Sequence, residues 1–218
     1  MKYFDSLPKV VYRDPNKVST VYTNLLARAS LVPTLMNNPL VFYTYDIQDQ
    51  DTPESVAYKY YGDSYNYWII LYCNNILDPL WGWPLTQAQF QVYLEDKYTA
   101  ATATYYNIDP SLVTDSQIIA YLYSQVNEYQ KIITQTDLNS GTIVTNTMSV
   151  TQNTYNSLAL TSAVYVLPTG PVSVQVSKTT QTLYDYEVAQ NESKRNIKIL
   201  NKTYVRQIEA ELKKLMSK

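Results

Sequence analysis

Carboxylates are the side chains of this sequence best suited to do chemistry. Hydrolysis of a glycosidic bond needs two carboxyl groups across a cleft, one of them with a raised pKa. Glu54, Asp63, Glu95 and Asp96 are available for that purpose. Each of them also fits a structural position, as a helix cap, a turn or a helix surface residue. We favour the structural positions, so the sequence predicts no catalytic residue.

The types of residue that are scarce in the sequence narrow the chemistry further. The sequence has no histidine, and Cys73 is its single cysteine. A Ser-His or Cys-His nucleophile, a disulfide within the chain and a Cys/His metal site are therefore excluded. Four glycines do not form a phosphate-binding loop. We predict that the chain is not an enzyme, that it holds no cofactor or metal, and that Cys73 is a buried structural thiol.

Composition limits the partners. The 218 residues carry 17 basic and 19 acidic side chains, a net charge of −2, with no basic stripe, which argues against nucleic acid. No apolar stretch is long enough to span a membrane. Lys2, Asp5 and Pro8 interrupt the N-terminus before any apolar run, so we expect no signal peptide and folding in a cytoplasm. The 23 tyrosines are typical of protein interfaces as well as of a tyrosine-rich core.

Residues 42–85 have the strongest local signals. Phe42, Tyr43 and Tyr45 suit a half-buried strand. Thr52 is a good cap for a helix that starts at Pro53, and Gly62 suits a left-handed stop. The sequence therefore predicts a strand followed by a capped helix. On the first helix, Val56 and Tyr60 are expected to face inward. A second helix is expected to be capped by Asp63 or Ser64 and to end at Asn74-Asn75. Its shared face would carry Trp68, Leu71 and Tyr72.

Two further helices are predicted before the sequence changes character. Thr86 caps the first, which we expect to run to about Tyr98 with Phe90, Tyr93 and Leu94 inward, and residues 99–106 are expected to form a connector. Thr114 and Gln117 have the spacing of a capping box. The helix after them is expected to end near Tyr129 and to place Ile118, Leu122 and Val126 on one face.

The last third of the sequence predicts β-structure and then a helix. Residues 172–177 alternate valine with polar residues, the period of a strand. Asn139-Ser140-Gly141 and Leu167-Pro168-Thr169-Gly170 are typical hairpin turns. We therefore expect an antiparallel region over residues 131–186. A terminal helix over residues 203–216 would carry one apolar stripe, made of Tyr204, Ile208, Leu212 and Leu215.

Three motifs of residues 42–85 resemble those of the LysM family. They are Gln50-Asp51-Thr52, Tyr61-Gly62-Asp63 and the asparagine at 74 or 75. The resemblance implies a βααβ module and binding of glycans. The sequence departs from the family where a Pro-Gly turn and closing strand should follow. It has Trp81-Gly82-Trp83-Pro84-Leu85 there and then a helix signal, so the closing strand and its glycan groove are not expected after Trp83.

The predicted fold is therefore α+β. It consists of a small LysM-like βαα(β) module with flanking helices, an antiparallel β-hairpin region and a C-terminal helix. We expect an N-terminal docking arm over residues 1–41 and the module with its following helix over 42–98. A connector and helix over 99–130 come next, and the hairpin region with the terminal helix fills 131–218.

A wider set of motifs resembles the LysM-containing baseplate wedge protein of T-even-like contractile-tailed phages. In chain order they are Phe4-Asp5-Ser6-Leu7-Pro8, Asp51 to Ala57, Tyr60-Tyr61-Gly62-Asp63, Asn74 to Pro79, Trp83-Pro84-Leu85, Tyr186-Glu187 and Asn191 to Lys198. This resemblance implies a non-catalytic structural subunit of the tail baseplate in the virion, made in the bacterial host cytoplasm. It implies that the subunit joins neighbouring wedges and contacts other wedge subunits, the sheath-initiating baseplate protein and neighbouring copies.

The candidate partner contacts are aromatic and apolar residues of the N-terminal arm, of the LysM-like segment and of the terminal helix. They are Phe4, Leu7, Tyr12, Tyr61, Trp81, Trp83, Tyr204 and Ile208. The alternative function is that of a LysM protein that binds peptidoglycan or chitin oligomers, with Tyr61, Trp81 and Trp83 stacked on sugars. We regard glycan binding as the weaker hypothesis, because we favour core and subdomain packing as the role of Trp68, Trp81 and Trp83.

Overall fold

The structure, a computed structural model, describes residues 7–15, 17–24 and 40–216. The chain forms two compact units. Unit 1 combines residues 1–88 with 191–218, and unit 2 comprises residues 89–190. Unit 2 is therefore inserted, in chain order, between two segments of unit 1.

The described elements confirm the mixed α+β class. In chain order they are β1 (Lys9–Arg13), β2 (Ser19–Thr23), β3 (Phe42–Asp46), α1 (Pro53–Tyr61), α2 (Tyr67–Cys73), α3 (Pro79–Gly82), α4 (Gln87–Tyr106), α5 (Asp115–Ser124), β4 (Val126–Asp137), β5 (Ile143–Val150), α6 (Gln152–Ser157), β6 (Thr161–Leu167), β7 (Gly170–Thr182), α7 (Leu183–Glu192), β8 (Asn196–Leu200) and α8 (Val205–Met216). Short 3₁₀ helices lie at Ser64–Asn66, Pro110–Leu112 and Lys202–Tyr204.

Helix α1 begins and ends as its sequence predicts. The Thr52 side chain accepts a hydrogen bond from the Ser55 N–H, and Ser55 Oγ accepts one from the Thr52 N–H at 2.9 Å. Gly62 ends the helix in the left-handed region with φ of 76°, where a residue with a Cβ is strained. The predicted inward position of Tyr60 is wrong. The buried side of α1 is centred on Val56 and Ala57, so Tyr61, one turn after Ala57, is buried in place of Tyr60.

Helix α2 is the centre of the unit 1 core. Five of its seven residues are buried, namely Trp68, Ile69, Ile70, Leu71 and Cys73. A helix that is apolar on all sides is stable only when other elements surround it. The predicted burial of Cys73 is confirmed, and burial raises the pKa of its thiol to about 12. Cys73 is therefore a core residue with little thiolate at neutral pH.

The partner of β3 comes from the other end of the chain. Strand β8 pairs with β3 antiparallel, from Phe42 opposite Leu200 to Asp46 opposite Asn196. No closing strand follows Trp83 directly, as expected, because the chain enters α4 there; the strand that pairs with β3 arrives only after unit 2. Ile197, Ile199 and Leu200 bring β8 into the core.

One asparagine fastens β8 to helix α2. The Asn74 side-chain amide donates to the carbonyls of Ile70 and Lys198, each at 2.8 Å. Its Oδ1 accepts from the Lys198 N–H at 2.8 Å. The side chain thus satisfies both backbone groups of one β8 residue, and its amide shares the Ile70 carbonyl near the end of α2 with the Asn74 N–H.

The ends of the two unit 1 segments are held side by side. The Asn191 side chain accepts from the Leu85 N–H at 2.8 Å and donates to the Leu85 carbonyl at 3.0 Å. Asn191 is buried, so both hydrogen bonds are shielded from water. The chain therefore leaves and re-enters unit 1 at neighbouring points, which is what an inserted unit requires.

The terminal helix α8 confirms most of the predicted stripe. Tyr204, Ile208 and Leu212 pack on the unit 1 core. Leu215 does not, since 55% of its surface is exposed, and this part of the prediction is wrong. Met216 is buried in its place, because it lies one helical turn after Leu212, whereas Leu215 is rotated away from that face.

Two predicted boundaries in unit 2 are wrong. Residues 99–106 continue helix α4 and do not form a connector. Threonine fits this helix because Thr99 and Thr104 donate their hydroxyls to the carbonyls four residues earlier, at 2.6 and 2.9 Å. Helix α5 ends at Ser124 and not near Tyr129, since pairing of β4 with β7 takes the chain from Val126 onward into the sheet. Ile118 and Leu122 are buried as predicted.

Unit 2 contains the predicted antiparallel region as one four-stranded sheet. The strand order is β5-β4-β7-β6, and all neighbouring pairs are antiparallel. Both predicted hairpin turns are confirmed. Asp137 accepts the Gly141 N–H at 2.8 Å in the first, and Leu167 lies opposite Gly170 in the second.

Candidate protein-binding surfaces

Seven of the eight predicted contact residues are described by the structure, and they fall into three groups. Leu7, Tyr61 and Trp83 are buried in the unit 1 core. Tyr204 and Ile208 are partly buried against that core. Tyr12 and Trp81 are exposed, by 59% and 61%. Phe4 lies outside the described residues. A role in partner contact stays a prediction for all eight, and only Tyr12 and Trp81 present most of their surface to solvent among those described.

The first surface is the hairpin of β1 and β2. Its ten residues pair from Lys9 opposite Thr23 to Arg13 opposite Ser19, and all ten are exposed. Asp14 forms the turn by accepting the Val18 N–H at 2.9 Å. The sequence pattern does not separate an inner from an outer face here, because apolar residues occupy both.

The two faces of the hairpin differ in chemistry. Val10, Tyr12 and Tyr22 share one face, and the two tyrosine rings lie 6.3 Å apart, edge to face. On the other face Val11 lies opposite Val21, between Lys9 and Arg13. Exposed valines on both sides of a two-stranded ribbon, joined by tyrosines on one side, are unusual for a free surface. The exposed surface of the hairpin is therefore typical of one that another protein covers.

The second surface lies around Trp81. The Asp78 side chain caps the short helix α3 by accepting the Leu80 N–H at 2.9 Å. Leu77, Leu80 and Trp81 are all exposed at this corner. The sequence singled out Trp81 but not the two leucines. Their position on either side of Asp78-Pro79, a turn signal, was the clue that they would lie outside the core.

The third surface is the unit 2 sheet. None of its strand residues is fully buried. One face is apolar, with Ile133, Val144, Val172, Val174, Val176 and Tyr165 among its members. The other face is mostly serine, threonine and glutamine. Helix α6 covers part of the apolar face, where Tyr155 contacts the Tyr129 ring at 5.1 Å and Lys178 donates to the Tyr155 carbonyl at 2.8 Å.

The carboxylates that could have suggested hydrolysis have structural partners or surface positions. Glu54 lies in the first turn of α1, and Asp63 accepts the Tyr65 N–H at 3.0 Å. Glu95 accepts from Gln91 at 3.2 Å, and Asp96 is exposed on α4. Within residues 7–15, 17–24 and 40–216, no group of three or more acidic or cysteine side chains is arranged to bind a metal. None of the helices in that part of the chain is long and apolar enough to cross a membrane.

Sequence reasoning did not find the buried carboxylate of unit 2. Glu187 on α7 is 4% exposed and accepts hydrogen bonds from three side chains of α4. Lys97 Nζ lies 2.8 Å and the Tyr98 hydroxyl 2.5 Å from Oε1, and the Tyr93 hydroxyl lies 3.0 Å from Oε2. Burial by itself raises the pKa of Glu187, but these three donors outweigh it and leave the pKa below its usual value.

This arrangement predicts a pH dependence for unit 2. Because the folded pKa of Glu187 lies below the unfolded value of about 4.3, its contribution to stability is complete above that pH. The contribution is lost as the pH falls through the folded pKa. We expect Glu187→Gln to lower the free energy of unfolding by about 1–3 kcal/mol at pH 7 and to flatten the loss below pH ~4.3. Chemical denaturation at several pH values measures both effects.

Asp96→Asn is the matched control for Glu187→Gln. It neutralises an exposed carboxylate on the same helix α4 and should leave the stability within about 0.5 kcal/mol of the parent. An equal loss of stability in both variants at pH 7 would show that the buried hydrogen bonds of Glu187 do not stabilise unit 2.

Comparison with known proteins shows the family to which the chain is similar. A family model described as base plate wedge protein 53 matches residues 35–215. Baseplate wedge protein gp53 of Enterobacteria phage T4 is 29% identical over 94 residues. That alignment covers 43% of this chain and 42% of the relative, so the chain spans less than half the length of the curated relative it matches.

These matches define the class of the protein as a structural component of the phage tail baseplate, part of the virion and not an enzyme. Within that class, the chain belongs to the base plate wedge protein 53 family, whose model covers most of its length.

Proposed function

We propose that this chain joins neighbouring wedges of the baseplate through protein–protein interfaces. Its partners in this proposal are other wedge subunits, the sheath-initiating baseplate protein and neighbouring copies of the chain. Membership of a wedge protein family supports other baseplate proteins as partners. The proposal keeps the predicted division of roles among residues 1–41, 42–98, 99–130 and 131–218, in which the first segment docks on a partner.

The hairpin of β1 and β2 is the observation that carries the proposal. It exposes Val10, Tyr12 and Tyr22 on one side and Val11 and Val21 on the other. An isolated two-stranded hairpin is marginally stable in water. Covering it would bury tyrosine and valine surface, and tyrosine is common among residues that dominate binding energy. Such a hairpin suits a subunit that assembles with other proteins, because a partner can bury its exposed surface.

We further infer that unit 1 contains a LysM-like scaffold used for packing. The order β3, α1, α2 and β8 corresponds to βααβ, with the last strand supplied after unit 2. The motif residues of the resemblance have structural tasks here, because Thr52 caps α1, Gly62 ends it and Asn74 holds β8. A LysM-like fold does not by itself imply glycan binding.

The alternative, a chitin or peptidoglycan binder, has less support. Stacking on a sugar ring needs an exposed aromatic face. Tyr61 and Trp83 are buried, and the Trp83 indole donates to the Asp51 carbonyl at 2.8 Å. Trp81 is the predicted stacking residue that remains exposed.

Two calorimetric titrations of the same chain test the proposal. With purified wedge complexes that lack this chain, we expect a heat of binding that saturates. With chitin or peptidoglycan oligomers at micromolar concentration, we expect no binding. Trp81→Ala is the control variant, since it removes the exposed aromatic side chain at a site outside the core. Saturable glycan binding that Trp81→Ala abolishes, together with no binding to wedges, would reverse the assignment.

A further inference from the structure

The two outer strands of the unit 2 sheet lack the usual protection of sheet edges. Strands β5 and β6 form the edges, and no described residue pairs with their outer sides. Neither strand contains a charged residue or a proline. Exposed edges normally carry such residues or a bulge, because a bare edge pairs with other strands. The one register shift in this sheet lies between Val126 and Glu128, in the inner pair of β4 and β7.

The backbone groups that point outward follow from the ladders. The Asp137 N–H donates to the Thr142 carbonyl at 2.9 Å, and hydrogen-bonded pairs alternate with non-hydrogen-bonded pairs along an antiparallel ladder. The backbone N–H and C=O groups of Ile143 and Thr145 therefore point away from β4. Leu167 and Gly170 close a two-residue hairpin, where the closing pair is hydrogen bonded. By the same alternation of hydrogen-bonded and non-hydrogen-bonded pairs, the backbone N–H and C=O groups of Ser162, Val164 and Val166 point away from β7.

The sheet is arranged so that a second copy continues it. Strand β6 runs in the direction of β4, and β5 runs in the opposite direction. A copy displaced sideways by four strands therefore brings its β5 antiparallel to β6. Thr136 lies opposite Ile143 on one side and Ser173 on the other, and Ser173 lies opposite Val164. Val164 and Ile143 thus occupy the same row and would face each other.

Charge and apolar surface agree with this pairing. Both edges are uncharged, so no electrostatic repulsion opposes their pairing, and neither edge needs a charged partner. The polar face of the sheet has four large apolar residues, which are Ile132, Ile143, Val164 and Val166. Three of these four are on the edge strands. Val164 and Ile143 are 59% and 64% exposed, and they would become a cross-strand pair of β-branched residues.

We propose that β6 of one copy pairs with β5 of a second copy and so extends the sheet from copy to copy. The contact deepens the proposed joining function and rests on it for bringing copies side by side. One strand edge covers less than the ~1,600 Å² of a standard interface. The pairing therefore operates at the high effective concentration that an assembled baseplate provides.

Disulfide cross-linking in assembled baseplates tests the pairing. One copy carries Val164→Cys, and a second copy of different length carries Ile143→Cys. Residues opposite each other in a hydrogen-bonded pair have Cα atoms about 5.5 Å apart, within the range that a disulfide spans. Native Cys73 is buried and does not compete. We expect mild oxidation to yield a disulfide between the two copies, which the difference in length makes visible on a gel.

Val144→Cys in place of Ile143→Cys is the control, because Val144 is the next residue of β5 and points to the opposite face. That pair should give no cross-link. The proposal is overturned if Ile143→Cys and Val144→Cys cross-link equally or not at all. It is also overturned if Val164→Cys pairs with itself, or with a different baseplate protein. In all of these cases the chain would still be present in the baseplate, so the joining function would stand; absence of the parent chain from baseplates would refute that function instead.

Discussion

Removal of residues 191–218 is expected to abolish the cooperative unfolding transition of unit 1. The segment supplies β8, the partner of β3, and the helix α8. It also contributes Ile197, Ile199, Leu200, Val205, Leu212 and Met216 to the core. Truncation of one such residue to alanine typically costs about 2–5 kcal/mol, and a whole domain is stable by only about 5–15 kcal/mol. The remaining core cannot compensate for that loss.

Tryptophan fluorescence measures this effect on unit 1 alone. All three tryptophans of the sequence, Trp68, Trp81 and Trp83, lie in unit 1. We expect the chain truncated after Gln190 to show a red-shifted emission spectrum and no sigmoidal change in urea. A sigmoidal transition with the parent midpoint would mean that β8 and α8 are dispensable.

Excision of unit 2 is the matched control and is expected to have the opposite result. A short glycine-serine linker would replace residues 89–190 and join Ala88 to Asn191. Because Asn191 and Leu85 are hydrogen bonded to each other, the linker needs to span only a short gap. The fluorescence transition of unit 1 should persist, although this deletion removes many more residues than the C-terminal truncation does.

Signals within a few residues of one another predicted most of the local structure. The Thr52 cap, the Gly62 stop, the Thr114–Gln117 capping box and the turn before Gly170 were all found in the sequence, because each depends on neighbouring residues alone. The pairing of β3 with β8 was not predicted, because unit 2 separates the two strands in sequence and no local pattern encodes the partner of a strand. The length of α4 was missed because the tertiary burial of Thr102 and Ala103 outweighs a weak helical composition.

The binding surfaces were predicted less well than the elements. Aromatic character singled out four of the candidate contacts, Tyr12, Tyr61, Trp81 and Trp83. The structure exposes Tyr12 and Trp81 and buries Tyr61 and Trp83. A tyrosine or tryptophan suits a core and an interface equally, so residue type alone cannot decide between them. Whether such a residue is buried depends on which side of its helix faces the core, and the tertiary structure determines that side.

Loss of the tyrosine pair on the hairpin is expected to have the largest effect on assembly. Tyr12 and Tyr22 lie on the same face of β1 and β2, and both are exposed. Residues that dominate an interface contribute about 2 kcal/mol or more each. Replacing both by serine should therefore weaken binding by well over tenfold, since 1.4 kcal/mol corresponds to about a factor of ten. Unit 1 should keep its stability, because neither side chain belongs to its core.

Tyr58→Ser provides the control for this double variant. Tyr58 is also an exposed tyrosine, but it lies on helix α1 at a distance in sequence from the hairpin. We expect this variant to behave like the parent chain in fluorescence and in assembly. The comparison separates loss of the hairpin surface from loss of any exposed tyrosine.

Incorporation into baseplates tests directly whether the exposed apolar surface of this chain serves assembly. Baseplates formed with the parent chain, with Tyr12→Ser/Tyr22→Ser or with Tyr58→Ser are separated by sedimentation, and the amount of the chain that sediments with them is quantified. We expect parental incorporation for Tyr58→Ser and at least a tenfold reduction for the double variant at limiting concentration. Parental incorporation of a folded double variant would contradict this role of the exposed surface.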